Sequence, residues 1–251
     1  MASAAEVSLH KRSEGLAPLQ PVELDLALPP DVAAFALAID DLSAVLAALE
    51  GSDAASSLPG TFALKRRAEY LAGRYAAASA LGALGLPGRV ERSSRGLPLW
   101  PPGSVGSISH GGGLACAVCG REERWRSIGV DVERVLHDTE ARELAPAIAH
   151  QDELFLLRAA LPQVRSGQRL SVLFSAKESL FKCLFPLSGT FLEFSDARLV
   201  SVGTTSGQRG LLSLRLERGC GSALPSGRTL QAHFSVSARR IESAVLLGAG
   251  D

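Results

Sequence analysis

The order of elements constrains this chain most: helical segments and strand-like runs occur in both halves, and the second half loosely repeats the first. In the first half, residues 31–49 read as an Ala-rich helix with a break near Asp40-Asp41, and residues 64–84 as the longest helix, stopped by Gly85 and Pro87. Residues 22–28 alternate like a strand, Gly51 to Gly60 read as a loop, and residues 114–120 form an apolar, strand-like run. In the second half, residues 141–149, 152–161 and 169–185 read as helices, the last ended by Pro186. The strand-like runs ARLVSV, GLLSLRLE, TLQAHFSVSA and IESAVLLGA follow. The pattern predicts two similar α+β lobes that meet near residues 124–127.

The charge balance removes some function classes. Lys plus Arg and Asp plus Glu number 26 each, so no overall positive field argues for nucleic-acid binding. No apolar stretch reaches the roughly 18 residues of a membrane span. The first fifteen residues hold no apolar core of secretory type, so the expected location is cytoplasmic. The four cysteines, Cys116, Cys119, Cys183 and Cys220, are too few in 251 residues for a disulfide framework. Cys116 and Cys119 form a lone C-x-x-C in an apolar run, which argues against zinc.

Two segments carry the chemistry. SIGVDVE (residues 127–133) has the alternation of a strand, which puts Asp131 and Glu133 on one face and Ile128, Val130 and Val132 on the other. FSAKESLFK (residues 174–182) reads as helix, with Glu178 and Lys182 one turn apart and Lys177 beside them. Read alone, D-x-E on a strand is commonly a solvated face, and Glu178–Lys182 a surface ion pair. The second helix is rich in Leu and Phe, however, and leaves its polar residues little surface, so Glu178 is expected to face a cleft. Three carboxylates offering only oxygen suit Mg²⁺ rather than zinc, and the lysines suit a diphosphate. Arg66 and Arg74 are spaced to share a helix face, with Arg92 and Arg95 in the next loop; converging arginines bind phosphate. His110 precedes three glycines, as in the oxyanion segment of some esterases, but no G-x-S-x-G nucleophile elbow accompanies it.

GSISHGGG, SIGVDVE beginning seventeen residues after His110, and FSAKESLFK together resemble the 4′-phosphopantetheinyl transferases of the surfactin type, and within them the enterobactin synthetase component D branch. KRRAEYLAGR, PLWPPGSVGSISH, ARELAPAIA and FPL fit the same branch, and the resemblance covers about residues 62–200. It implies an α+β fold of two pseudo-symmetric lobes, each a small antiparallel sheet packed with helices. Residues 1–124 would supply the coenzyme A 3′-phosphate and adenine side, and residues 125–251 the Mg²⁺ carboxylates, the catalytic helix and the carrier-docking surface. The implied reaction moves the phosphopantetheine arm of coenzyme A onto a serine of an apo acyl or peptidyl carrier protein of a polyketide or nonribosomal peptide synthase, siderophore pathways included. The resemblance makes Asp131, Glu133 and Glu178 the Mg²⁺ ligands. Glu178, or Glu133 through water, becomes the base, and Lys182 meets the diphosphate and the leaving group. Lys177 and His110 would touch phosphate, Arg66, Arg74, Arg92 and Ser109 the 3′-phosphate, and Arg95 with Gly96 the adenine. A monomer without nucleic-acid or membrane partners is implied, with the carrier near the apolar residues after Asp138.

The chain departs from the pattern in the adenine loop, where Gly96-Leu97-Pro98 stands in place of Gly-Lys-Pro, so Arg92 or Arg95 would have to replace one basic contact. Gly111 follows His110 where close relatives carry cysteine, and GREERWRS lengthens the link between lobes. A coenzyme A-binding module without catalysis is the alternative from another class, and a Mg²⁺-dependent phosphodiesterase removing the arm is a second.

Overall fold

The computed structural model describes residues 19–52 and 61–251, so most of the Gly51 to Gly60 loop and the start of the chain lie outside it. The chain divides into two compact units, one holding the residues through Leu24 and Leu28–Arg124, the other Asp25–Ala27 and Trp125–Asp251. Each combines helices with an antiparallel sheet, so the fold is α+β. No described helix is long and apolar enough to cross a membrane.

In the first unit, strands β1 (Pro21–Val22), β2 (Val32–Ala38), β5 (Ser104–Gly111) and β6 (Leu114–Arg121) form a four-stranded sheet in the order β1-β2-β6-β5. Helices α1 (Leu42–Leu49) and α2 (Leu64–Ala83) and a small hairpin of β3 (Glu91–Arg92) and β4 (Pro98–Leu99) complete it. The expected helix over residues 31–49 is only half there. Its first part is β2, paired with β6 from Val32↔Gly120 to Ala38↔Leu114. Alanine by itself favours helix, and the ladder along β6 overrides that preference. Asp41 then starts α1 by accepting the Ala44 amide at 3.0 Å. The expected strand over residues 22–28 shrinks to β1, because the Asp25 amide leaves the ladder and donates to Glu242 Oε2 at 2.5 Å.

Helix α2 packs through a face of small residues, among them Ala68, Ala72, Ala76 and Ala80. At Gly73 a Cβ would lie 2.8 Å from the Ile108 side chain, so glycine sets how closely α2 approaches β5. That approach brings the arginines of α2 beside His110 of β5.

In the second unit, β7 (Trp125–Arg134) is the edge of a five-stranded sheet with β8 (Ala197–Ser206), β9 (Arg209–Leu216), β10 (Thr229–Val236) and β11 (Arg240–Gly248), in the order β7-β11-β10-β9-β8. Helices α3 (Asp138–Ile148), α4 (Gln151–Ala160) and α5 (Ser166–Ser188) lie between β7 and β8 in the chain. Leu173, Ala176, Leu180 and Leu184 of α5 join Leu212, Leu214, Ile241 and Val245 of the sheet in one buried core. Pro186 does not end α5; it sits in the last turn, and the helix stops at Gly189 with φ of +63°. A proline there removes only the amide that would reach the Lys182 carbonyl.

Three contacts fix α5 on β7, β11 and the turn after β7. Ser127 Oγ donates to the Cys183 carbonyl at 2.6 Å, Ser175 and Ser243 hydroxyls meet at 2.8 Å, and the Leu136 amide donates to Ser171 Oγ at 2.9 Å. Gly129 permits the approach: a Cβ there would fall on the Ser179 carbonyl oxygen and lie 2.5 Å from the Cys183 amide nitrogen.

Candidate active site

The helix–strand seam of the second unit gathers the acids. Asp131 is buried on β7 opposite Ser243 of β11, and Glu133, two residues on, stands opposite Ile241. Lys182 of α5 reaches across, its Nζ donating to Asp131 Oδ1 at 2.5 Å. Glu178 lies one turn earlier on α5. Burial is the main cause that pushes the Glu133 carboxyl up to about 7, and the negative charges of Asp131 and Glu178 add to it, against Lys182 and Arg134. Burial also raises Glu178; Lys182 opposes the shift and Asp131 adds to it. Asp131, Glu133, Glu178 and Lys182 therefore share one electrostatic site. Carboxylates that raise one another are short of positive charge, and a cation relieves them. Among the described residues, no group of three acidic, histidine or cysteine side chains stands in metal-holding positions, and the Lys182 ammonium lies against Asp131.

Lys177 does not join them, which corrects its expected place at phosphate. Its side chain is 2% exposed and turned inward. Its Nζ donates to the carbonyls of Ile148 and Phe194, each at 2.9 Å, and pairs with Glu153 at 2.9 Å. Glu153 is itself fully buried and also accepts the amides of His150 and Leu199, at 2.8 Å each. An ammonium has three protons, and all three have partners inside the protein.

In the first unit the basic residues converge on two aromatic rings. The guanidinium of Arg66 lies 5.7 Å from the Phe62 ring centre and that of Arg92 6.0 Å from it. Arg74 lies 5.1 Å from the Tyr70 ring centre, and Phe62 and Tyr70 meet edge to face at 5.9 Å. Arg74 is buried, its Nη1 has no hydrogen-bond partner, and burial lowers its pKa, the Arg92 charge adding to the effect. A buried guanidinium with an unused donor is suited to an anion. Arg66 Nη1 donates to His110 Nε2 at 2.5 Å. Gly96, at φ +86°, packs against Arg92, where a Cβ would lie 3.0 Å from Nη2. Arg95 is exposed in the same turn, and Ser109, buried, lies on the opposite face of β5 from His110.

Residues 60–120 match the 4′-phosphopantetheinyl transferase N-terminal domain, and residues 127–225 match the 4′-phosphopantetheinyl transferase superfamily. The 4′-phosphopantetheinyl transferase PptT of Mycobacterium tuberculosis is 34% identical over 185 residues, 73% of this chain and 80% of that protein. This chain belongs to the 4′-phosphopantetheinyl transferase superfamily. It is 40% identical to enterobactin synthase component D of Salmonella typhimurium over 141 residues, 56% of this chain and 57% of that protein. The 4′-phosphopantetheinyl transferase Svp of Streptomyces mobaraensis is 37% identical over 169 residues, 66% of this chain and 65% of Svp. The acids, Lys182 and the arginines are thus features of a transferase whose family uses coenzyme A.

The sequence reading of this transferase missed Phe62, Tyr70, Glu69 and Glu153. The aromatics leave a sequence signal, because Phe62 and Tyr70 each precede an arginine by four residues, Phe62 just before α2 and Tyr70 within it. Glu153 leaves none, because only folding brings it to Lys177.

Proposed function

We propose that this transferase moves the phosphopantetheine arm of coenzyme A onto a serine of an apo acyl or peptidyl carrier protein, with Mg²⁺, releasing adenosine 3′,5′-bisphosphate. The observation that carries the reading is the joint site of Asp131, Glu133, Glu178 and Lys182, with two of its carboxyls raised. The donor set is all oxygen and short of positive charge, which fits Mg²⁺. Asp131, Glu133 and Glu178 would hold it, and when bound it would neutralise the diphosphate.

The chain's own residues then have defined tasks. Lys182 leaves Asp131 for the diphosphate and donates a hydrogen bond to the oxygen that departs. Glu178, or Glu133 through a water, takes the serine hydroxyl proton as the serine oxygen attacks the β-phosphorus. The bond from that phosphorus to the bridging oxygen breaks, and the bisphosphate leaves. Arg66, Arg74 and Arg92 of the first unit hold the 3′-phosphate, with His110 bonded to Arg66 beside them, and the turn of Arg95 and Gly96 lies near the adenine. Relatives named enterobactin synthase component D point to carriers of nonribosomal peptide and siderophore synthesis. A cytoplasmic monomer belongs to the same reading.

The test is the intact mass of an apo carrier after incubation with the transferase, coenzyme A and Mg²⁺. A gain of one phosphopantetheine arm, lost with chelator and with Glu178→Gln, is expected. Coenzyme A binding without any mass gain on acyl, peptidyl or aryl carriers would leave a binding module. Free phosphopantetheine released from a holo carrier would mark a phosphodiesterase.

A further inference from the structure

Glu69 is unlike its neighbours on α2. Its carboxylate side chain is 12% exposed, while three basic groups above it are more open: Lys65 at 76%, Arg66 at 52% and His110 at 30%. Each lies near the same carboxylate, Lys65 Nζ at 3.8 Å, Arg66 Nη1 at 3.7 Å and His110 Nδ1 at 3.6 Å. The pairs with Lys65 and Arg66 are long and partly solvated, so they add little to helix stability. A sheltered acid at the inner side of a cationic cluster has another use.

The tautomer of His110 shows which. Arginine can only donate, so the 2.5 Å contact from Arg66 Nη1 makes His110 Nε2 an acceptor. The ring proton then sits on Nδ1, the nitrogen that faces Glu69 Oε2. We infer that Glu69 is a positioning residue for the anion site of the first unit. It orients His110 through Nδ1, and His110 in turn accepts from Arg66 Nη1, so that the guanidinium is held with its remaining N–H groups turned to the phosphate. The inference rests on the proposed role of Arg66 at the coenzyme A 3′-phosphate. Glu69 itself touches no phosphate, since like charges repel.

The experiment compares coenzyme A with 3′-dephospho-coenzyme A as donor, using the full chain and one apo carrier. Glu69→Gln should raise KM for coenzyme A by about tenfold, the scale of one weakened charged hydrogen bond. It should leave kcat, and both constants for the dephospho donor, unchanged. Glu69→Asp, which keeps the charge, should recover part of the loss. A Glu69→Gln enzyme that loses equally on both donors, or on neither, overturns the inference. Arg66→Ala is run beside it. If Arg66→Ala fails to discriminate between the donors, the 3′-phosphate reading itself fails. If it discriminates and Glu69→Gln does not, only the role of Glu69 falls.

Discussion

Lys177 and Lys182 stand five residues apart on one helix and have opposite fates. Lys182 is 28% exposed and pairs with an acid of the proposed metal site, whereas Lys177 is sealed against Glu153. Lys177→Met strands a fully buried carboxylate, and removing one partner of a buried pair costs about 3–5 kcal/mol. Chemical denaturation should show that loss, and Glu153→Gln combined with Lys177→Met should recover part of it. Lys182→Met, which removes a partly solvated ammonium, should cost less stability than Lys177→Met yet transfer at least about 100-fold more slowly, as expected for a lost electrostatic contact to the reacting phosphate. Equal stability of the Lys177→Met and Lys182→Met variants would refute the distinction. Glu133 gives a pH signature. Its carboxyl binds a proton more tightly folded than unfolded, so folding stability falls as pH rises from the ordinary glutamate value of 4.5 toward about 7. Melting in chelator should therefore drop between about pH 5 and about pH 8, with Glu178 adding in the same direction, and Glu133→Gln should flatten the drop. A parent protein with a level profile would mean that neither burial nor the neighbouring acids raise this carboxyl.

At the scale of elements, one glycine governs the site. Gly129 lets α5 lie so close to β7 that Lys182 reaches Asp131. Gly129→Ala must push the helix off the strand, because its Cβ meets main chain at Ser179 and Cys183 rather than a side chain that could turn away. Overpacking of this kind costs about 1–3 kcal/mol. Activity should fall further than stability, because the acids and the lysine separate together. Full activity in a folded Gly129→Ala protein would show that the seam does not set the site. Much of this seam was legible beforehand. The alternation of SIGVDVE assigned Asp131 and Glu133 to one face, and the i, i+4 spacing put Glu178 beside Lys182. What escaped was decided by partners far along the chain. The β2 segment reads as helix because alanine favours helix, until β6 pairs with it. Lys177 looked available until α4 delivered Glu153. Pro186 looked like a stop because sequence alone does not tell a last turn from a helix interior.

At the scale of the whole molecule, the two units differ in the charge they offer a ligand. The acids and Lys182 belong entirely to the second unit, and the arginine cluster with its aromatics entirely to the first. A net charge of zero thus hides two local fields of opposite need, one lacking cations and one lacking anions. Each should respond to a ligand that suits it alone. Amide hydrogen exchange on the full chain can separate them, because a ligand that binds only the folded state slows opening where it binds. Mg²⁺ alone should slow exchange in β7 and α5 and leave α2 and β5 unchanged. Adenosine 3′,5′-bisphosphate without metal should protect α2, β5 and the β3–β4 hairpin. Arg74→Ala should abolish the second effect and spare the first, because Arg74 lies in the core of the first unit, with its unused donor beside Tyr70. Protection of both units by Mg²⁺ alone would contradict the division, and so would bisphosphate protection confined to β7 and α5.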